Sequence, residues 1–522
     1  MDSDGTTHTS LPRTLLQPDN AIVVTLALFK LLIHLMTNLF GGYGYIRDEL
    51  YYFACSDHMA WGYVDHPPFS IAALWLSRFI LGDSLFAVRF LPAVSGALVV
   101  VLACLTAREL GGKTFAQTLS GLCVIVAPLT LGMDSLFSMN SFDVFFWTLS
   151  FYLIVLVATR GGRQHWILLG MTLGLGLLNK ISVLWLCAGL VAGLIASPGR
   201  RWFLTRDLWI AGAIAVLLFV PHLVWQYANG YPTLEFIRNA GSGKYVSLSP
   251  LEMLMQQTLY MNPLTLPVWF AGLIHFTVSS SRKELRVLPV AYLTVFLILV
   301  LNGNSKTAYL VTAFPMLFAM GAVTAEDFMA GFRARFLRPL MLGLLLASGI
   351  FLAPIAIAVL PVETFIAYSQ WLGIAPSTSE RNKLGRLPQY YADMFGWEEM
   401  VASVAGAYNT LSPEEKSECV IMCSNYGEAG AIDFFGRKYR LPAALCGHNN
   451  YWLWGRGNAG GRVVIRMGGQ ENALRASYGE VTLAGVFRNG YCMPYEDNLS
   501  LWVCRNRRTP LKDDWARFKI FN

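Results

Sequence analysis

Charge is scarce in this chain. Of its 522 residues only 14% are Asp, Glu, Lys or Arg, while 55% are hydrophobic and the mean hydropathy is +0.46. Soluble globular domains carry about 25% charged residues, so that class is excluded and a polytopic membrane protein is expected. Acids are the rarer sign, 33 against 40 Lys and Arg, for a net charge of +7. The basic residues form no continuous patch of the kind nucleic acid requires; they sit in short clusters between apolar runs, where they set topology. No Cys/His spacing among the nine cysteines reads as a structural zinc site. Cys104, Cys123 and Cys187 lie in apolar runs as packing residues, and Cys55 lies in the first loop. Residues 1–18 lack a basic region followed by a small-residue cleavage site, so the first apolar run reads as a retained span with a cytoplasmic N-terminus.

Runs long enough to cross the hydrocarbon, about 17 to 25 helical residues, fall near 21–40, 86–106, 115–132, 142–159, 164–179, 181–196, 207–227, 261–279, 287–302, 306–323 and 337–360. That predicts about eleven transmembrane helices. Every second connector is basic: Arg108 and Lys113; Arg160 and Arg163; Arg200, Arg201 and Arg206; Arg282, Lys283 and Arg286; Arg333, Arg335 and Arg338. Those connectors are read as cytoplasmic. The first loop, the Asp134–Asp143 turn, the 229–260 loop and the C-terminal segment then share the opposite, extracytoplasmic side.

Near residue 376 the composition becomes that of a soluble domain, which divides the chain into a membrane part, 1–375, and an extracytoplasmic α/β domain, 376–522. Strands are expected at Cys419–Cys423, Val463–Arg466, Val481–Ala484 and Leu501–Cys504, with a helix over Glu428–Arg437. An oxidising exterior would permit a Cys492–Cys504 bridge, with Cys446, Cys419 and Cys423 as alternatives.

The first loop, residues 41–84, holds more chemistry than a connector needs. It reads Tyr45-Ile-Arg-Asp48-Glu49-Leu-Tyr51-Tyr52 and then Trp61-Gly-Tyr63-Val-Asp65-His66-Pro67-Pro68-Phe69. Such a group can hold a proton acceptor, a sugar hydroxyl or a metal. Pro67 favours an extended His66, and Pro68 can open the next helix. The plainer reading makes Asp48, Asp65 and His66 helix caps and the aromatics an interfacial belt. A second cluster, Asp134 to Asn140-Ser141-Phe-Asp143, tops the fourth run, where an acid at the mouth of an apolar helix needs a partner or a function. Lys180, Arg238, Lys244, Lys306, Arg78 and Arg89 are basic residues on the outer side, able to counter a lipid-borne phosphate or simply to snorkel.

Taken together the first-loop pattern, its topology and Lys306 resemble the polyprenyl-phosphate-sugar-dependent glycosyltransferases of the C-type membrane fold. These include the protein O-mannosyltransferases (glycosyltransferase family 39) and the lipid A aminoarabinose transferase. In that family an Asp-Glu pair opens the first outer loop and a Pro-Pro pair closes it. Asn140-Ser141-Phe-Asp143 is similar to the second acidic motif, and Lys306-x-x-Tyr309 with Pro315 to the span whose lysine approaches the carrier phosphate. Asn179-Lys180 and Ser242-Gly-Lys244-Tyr245 look like lysine positions of the bacterial branch, and the match to that branch extends into the outer domain through Leu387-Pro-Gln389-Tyr390, Asn425-Tyr426-Gly427-Glu428 and Gly447-His448-Asn449-Asn450-Tyr451-Trp452.

The resemblance implies transfer of a sugar from a polyprenyl (undecaprenyl) phosphate to a lipid, glycan or protein acceptor, on the outer face of a bacterial inner membrane. It makes Asp48 the general base, with inversion, and has Glu49 and Asp143 orient the acceptor or stabilise charge. Lys306, Lys180, Lys244 and Arg89 hold the phosphate, and Tyr63, Asp65, His66, Asn140 and Tyr309 line the substrate site. No cofactor is required, though Asp48, Glu49, His66 and Asp143 would suit a divalent metal if they converged. The rivals are a polyprenyl-linked lipid or solute transporter or flippase, for which no inverted repeat is visible, and a scaffold, which leaves Asp48, Asp143 and Lys306 unexplained.

Overall fold

The computed structural model describes residues 20–244, 248–279, 283–302, 306–331, 336–378 and 380–522. Arg282, Arg333 and Arg335, the side chain of Lys244, Tyr245, Ser305 and the N-terminal residues 1–19 lie outside them.

In hydrocarbon a backbone N–H finds a partner only within its own segment, so apolar runs close into helices. Among the described residues seven helices are long and apolar enough to cross a membrane, at 21–40, 85–109, 139–159, 206–228, 283–302, 308–330 and 337–356, and two bent pairs raise this to nine. The chain is a multi-pass membrane protein. In chain order the helices that position the site are α1 (Ala21–Phe40), α2 (Arg47–Asp57), α3 (Phe69–Leu81), α4 (Leu85–Glu109), α5 (Thr114–Val126), α6 (Pro128–Asp134), α7 (Met139–Thr159) and α8 (Arg163–Asn179). Helices α4 and α7 are mostly buried inside the protein, whereas α1 turns Leu28, Phe29, Leu32, Met36 and Phe40 outward. That outward face is apolar because it meets lipid.

One departure from the expected spans has a local cause. The run expected at 115–132 is broken by 67° between α5 and α6. Pro128 disfavours helical geometry at the preceding residue, and Ala127 is accordingly extended (φ −76°, ψ 116°). The bend brings Asp134, expected at the outer surface, inward to meet Lys30 of α1 at 3.0 Å. The first loop folds as α2 and α3, and α3 begins directly after Pro68, as the Pro-Pro pair predicts.

The C-terminal part is a five-stranded sheet with order β2-β1-β3-β5-β4. Strands β1 (Cys419–Cys423), β2 (Ala444–Cys446) and β3 (Val463–Met467) are parallel, and β4 (Tyr478–Phe487) and β5 (Leu499–Arg507) extend it antiparallel. The short β2 was not legible in the sequence. Among the described residues all nine cysteines are free. The expected Cys492–Cys504 bridge does not form because Cys492 packs into the core on one face of the sheet and Cys504 into the core on the other.

One core joins the first loop to the sheet. Leu50, Tyr51, Phe53, Cys55 and Tyr63 pack in the same cluster as Ile421, Ile432, Ile465 and Val503, together with Val88 of α4 and Phe142 of α7. The helix Tyr426–Phe435 crosses α2 closely. A Cβ at Gly430 would lie 2.6 Å from the Leu50 backbone, and one at Gly427 would lie 2.3 Å from the Arg47 side chain. Only glycine admits that approach.

Candidate active site

The site lies where the first loop, the N-terminal end of α7, the C-terminal end of α8 and the sheet domain meet. Helix α2 places Asp48 and Glu49 on different faces, about 100° apart, and their surroundings differ accordingly. Glu49 is fully buried and accepts hydrogen bonds from Ile46 N (3.0 Å), Phe137 N (2.8 Å), Arg89 Nε (2.8 Å) and Arg89 Nη2 (2.8 Å). Glu49, and not Asp48, thus caps α2. Arg89 completes its own bonding at the Gly44 carbonyl (2.9 Å). The expectation that Glu49 orients the acceptor and Arg89 holds phosphate is therefore corrected: each neutralises the other beneath the loop.

Asp48 faces out. Its side chain is 43% exposed, against 0% for Glu49 and 1% for Asp143. It accepts a hydrogen bond from Tyr426 Oη of the sheet domain (2.9 Å), and Arg47 Nε lies 3.6 Å away. Of the three acids expected to react, Asp48 alone is open to a substrate.

Asp143, Asn140, Lys180 and Tyr309 come together as the sequence suggested. Helix α8 ends at Asn179 and Lys180 is extended (φ −156°, ψ 132°), which turns its side chain inward. Its ammonium lies 3.3 Å from Asp143 Oδ2, donates to Asn140 Oδ1 at 2.8 Å and stands 4.8 Å from the Tyr309 ring centre. Ser182 Oγ contacts both Asp143 oxygens, at 2.9 and 2.8 Å. Asp143 is thus a buried partner of Lys180. Lys306 lies one 3-10 turn from Tyr309, with its ammonium 3.6 Å from Glu380.

The closing half of the first loop is mostly internal. Tyr63 is buried, and its hydroxyl meets Cys55 O (3.1 Å) and Ala60 N (3.2 Å), so it pins the loop and lines no open surface. His66 is buried too, with Nδ1 donating to the Pro67 carbonyl (3.0 Å) and Nε2 3.9 Å from Asp65. Asp65 accepts from Tyr51 Oη (3.0 Å). Burial pushes the Asp65 carboxyl above its ordinary range, against the pull of His66 and Tyr51. Among the described residues no three His, Cys, Asp or Glu side chains gather where a metal ion could sit, so the convergence of Asp48, Glu49, His66 and Asp143 does not occur.

Several participants escaped the sequence reading. Arg47 donates to Tyr495 Oη (2.8 Å) and lies over the Tyr426 ring, and Glu380 reaches both Arg47 and Lys306. Lys30 and His34, one turn apart on α1, are buried polar residues whose spacing inside an apolar run was a visible signal.

Asp393, beneath Arg47, gives the site a pH dependence. Burial raises its carboxyl to about 6 and Arg47 opposes that, while Asp48 and Glu380 add to it. A carboxyl that binds its proton more tightly when folded stabilises the fold below its unfolded pKa, near 3.8, and loses that contribution as pH rises to about 6. Thermal unfolding at fixed salt should therefore show a midpoint falling across this window by more in the unmodified protein than in Asp393→Asn. Equal slopes would refute the assignment.

With the geometry in hand, comparison with known proteins gives first a class. Residues 65–225 match the family model described as dolichyl-phosphate-mannose-protein mannosyltransferase, which bears out the resemblance drawn from the first loop and α7. The fold agrees: the crystal structure of ArnT from Cupriavidus metallidurans bound to undecaprenyl phosphate superposes with a TM-score of 0.57 at 14% identity, over 92% of this chain and 97% of that one. The particular relatives are narrower. The undecaprenyl phosphate-alpha-4-amino-4-deoxy-L-arabinose arabinosyl transferase of Pseudomonas aeruginosa (strain UCBPP-PA14) is 27% identical over 280 residues, 50% of each chain. The lipid A galacturonosyltransferase RgtD of Rhizobium johnstonii is 22% identical over 302 residues, 56% of this chain and 62% of that one. The chain spans about half the length of the aminoarabinose-transferase relatives it matches over the longest stretches.

Proposed function

We propose that this protein is a membrane glycosyltransferase that moves a sugar from a polyprenyl-phosphate donor, of the undecaprenyl type, to an acceptor on the outer face of a bacterial inner membrane. The observation that carries the reading is the contrast among the acids: Asp48 is exposed, with Arg47 Nε 3.6 Å away, while Glu49 and Asp143 are buried and paired. The names of the relatives, which act on undecaprenyl-phosphate sugars and lipid A, support a lipid acceptor, with a glycan or protein acceptor as the wider class.

In this reading the acceptor oxygen or nitrogen attacks the anomeric carbon as its proton passes to Asp48. The carbon–oxygen bond to phosphate breaks with its electron pair leaving on phosphate, and one displacement inverts the centre. Lys306 counters the phosphate charge, as fixed cations at low dielectric do well. Lys180, held by Asp143 and Asn140 against Tyr309, borders the same space, and Asp65 with His66 backs the loop that carries Asp48. Lys244 is kept as a further candidate for the phosphate.

The topology belongs to the same proposal. Eleven spans with a cytoplasmic N-terminus put the loop 41–84 and the domain 376–522 in the periplasm, where the donor's head group is presented.

Deleting the gene and comparing the envelope by mass spectrometry tests the function. One polyprenyl-phosphate sugar should accumulate, and the glycolipid or glycan that carries its sugar should lose it. An unchanged inventory of both would refute the reading. For the purified protein, Lys306→Ala should weaken donor binding by about tenfold or more, since a charge-assisted bond to phosphate is worth about 1.5–3 kcal/mol. Titration in nanodiscs measures it, and unchanged affinity would mean that the phosphate binds elsewhere.

A further inference from the structure

Two cations, Arg47 next to Asp48 and Lys306 near Tyr309, close on one carboxylate. Lys306 Nζ lies 3.6 Å from Glu380 Oε1, and Arg47 Nη2 lies 3.8 Å from Glu380 Oε2. Glu380 belongs to neither the membrane helices nor the sheet. It stands on the segment between the helix Val362–Trp371 and the short helix Gln389–Ala392. Among its hydrogen bonds are two from neutral amides of that same segment, Gln389 Nε2 at 3.0 Å and Asn382 Nδ2 at 3.1 Å.

The distances separate two kinds of attachment. Amides hold the carboxylate at hydrogen-bond length, whereas the two cations meet it at ion-pair distances longer than a hydrogen bond. A charge-assisted bond from Arg or Lys to a phosphate oxygen closes to about 2.7–2.9 Å. Arg47 and Lys306 are therefore matched in charge to the carboxylate between them, at distances that a phosphate oxygen would shorten. Arg47 is well prepared for that task. Its guanidinium is fixed by Tyr495 Oη at 2.8 Å and by the Tyr426 ring at 5.3 Å, so little freedom remains to be lost on binding.

The sugar-bearing phosphodiester carries one negative charge, as Glu380 does. Resting on the reading in which Lys306 holds the donor phosphate, we propose that Arg47 and Lys306 form one phosphate site, and that Glu380 occupies it until the donor displaces it. Donor affinity is then the intrinsic affinity reduced by the fraction of molecules in which Glu380 has left. The segment around residue 380 moves when donor binds, and because Arg47 also touches Tyr426, the partner of Asp48, occupation of the site is felt at the general base.

Binding of undecaprenyl phosphate to the full-length protein in nanodiscs tests this. Glu380→Gln keeps the shape and a carbonyl for the amides but removes the charge, and it should tighten binding on the order of fivefold by freeing the site. Arg47→Met should weaken binding, as Lys306→Ala does. Hydrogen exchange on the unmodified protein gives a second measurement that no folding defect can confuse: amides in 380–388 should exchange faster once undecaprenyl phosphate is bound. Unchanged or weaker binding by Glu380→Gln, or unchanged or slower exchange in that segment, would overturn the displacement. If Lys306→Ala binds normally, the underlying reading itself fails; if it binds weakly while Glu380→Gln does not bind more tightly, only the present inference does.

Discussion

Asp48→Asn should lower sugar transfer by about 10² to 10⁴ while donor binding and folding stay near those of the unmodified protein. The amide keeps the side chain's shape and can still accept from Tyr426 Oη at 2.9 Å, so the contact between first loop and sheet domain survives. What it loses is the capacity to take a proton. Because the Asp48 side chain is 43% exposed, no buried partner is left uncompensated. The decisive measurement is transfer and donor binding determined separately on monodisperse protein. Full transfer by Asp48→Asn would remove Asp48 from the mechanism. A joint loss of binding and monodispersity would instead give it a structural role.

The neighbouring acid should behave in the opposite way. Glu49→Ala should destabilise the protein by about 3–5 kcal/mol, the cost of leaving a buried charge without its partner. Arg89 would keep its charge in the interior, and the Ile46 and Phe137 N–H groups would lose their acceptor. Glu49→Gln should also be destabilised, by less, since its NH₂ must face two of the four donors, whichever oxygen it replaces. Replacing both partners, Glu49→Ala with Arg89→Met, should recover part of the loss because no lone charge remains. Thermal unfolding in detergent separates these outcomes. A Glu49→Ala protein with unchanged stability and no transfer would make Glu49 a reacting group after all.

Side by side, the two predictions show what a motif can and cannot say. Asp48-Glu49 is legible as a pair because the sequence prints both acids together at the head of the first loop. Nothing in the spacing tells which is exposed. That depends on the rotation of α2 against Arg89 and the Phe137 backbone, which are 40 and 88 residues away. The same holds for Lys180, whose place beside Asp143 follows from the break after Asn179. Asn140, Asp143, Lys180 and Tyr309 were each anticipated as site residues, Asp143 as catalytic and the others as substrate-binding, yet the ion pair that ties Asp143 to Lys180 was not. Tyr63 and His66 went the other way, because aromatic and polar character in a loop looks alike whether the residue lines a cleft or fills a core.

By itself the sequence determined the environment and the local elements. Long apolar runs leave the backbone no alternative to helices in lipid, the Pro67-Pro68 pair fixes where a helix starts, and short continuous runs of Val, Ile and Cys make buried strands. Tertiary structure alone decided the site. It buried the first loop in the core of the sheet domain through Leu50, Tyr51 and Ile465, set Tyr426 on Asp48, and drew Glu380 between Arg47 and Lys306. Those contacts join residues tens to hundreds of positions apart, and their energies depend on which charges are desolvated together, which is a property of the packed molecule and not of any stretch of chain.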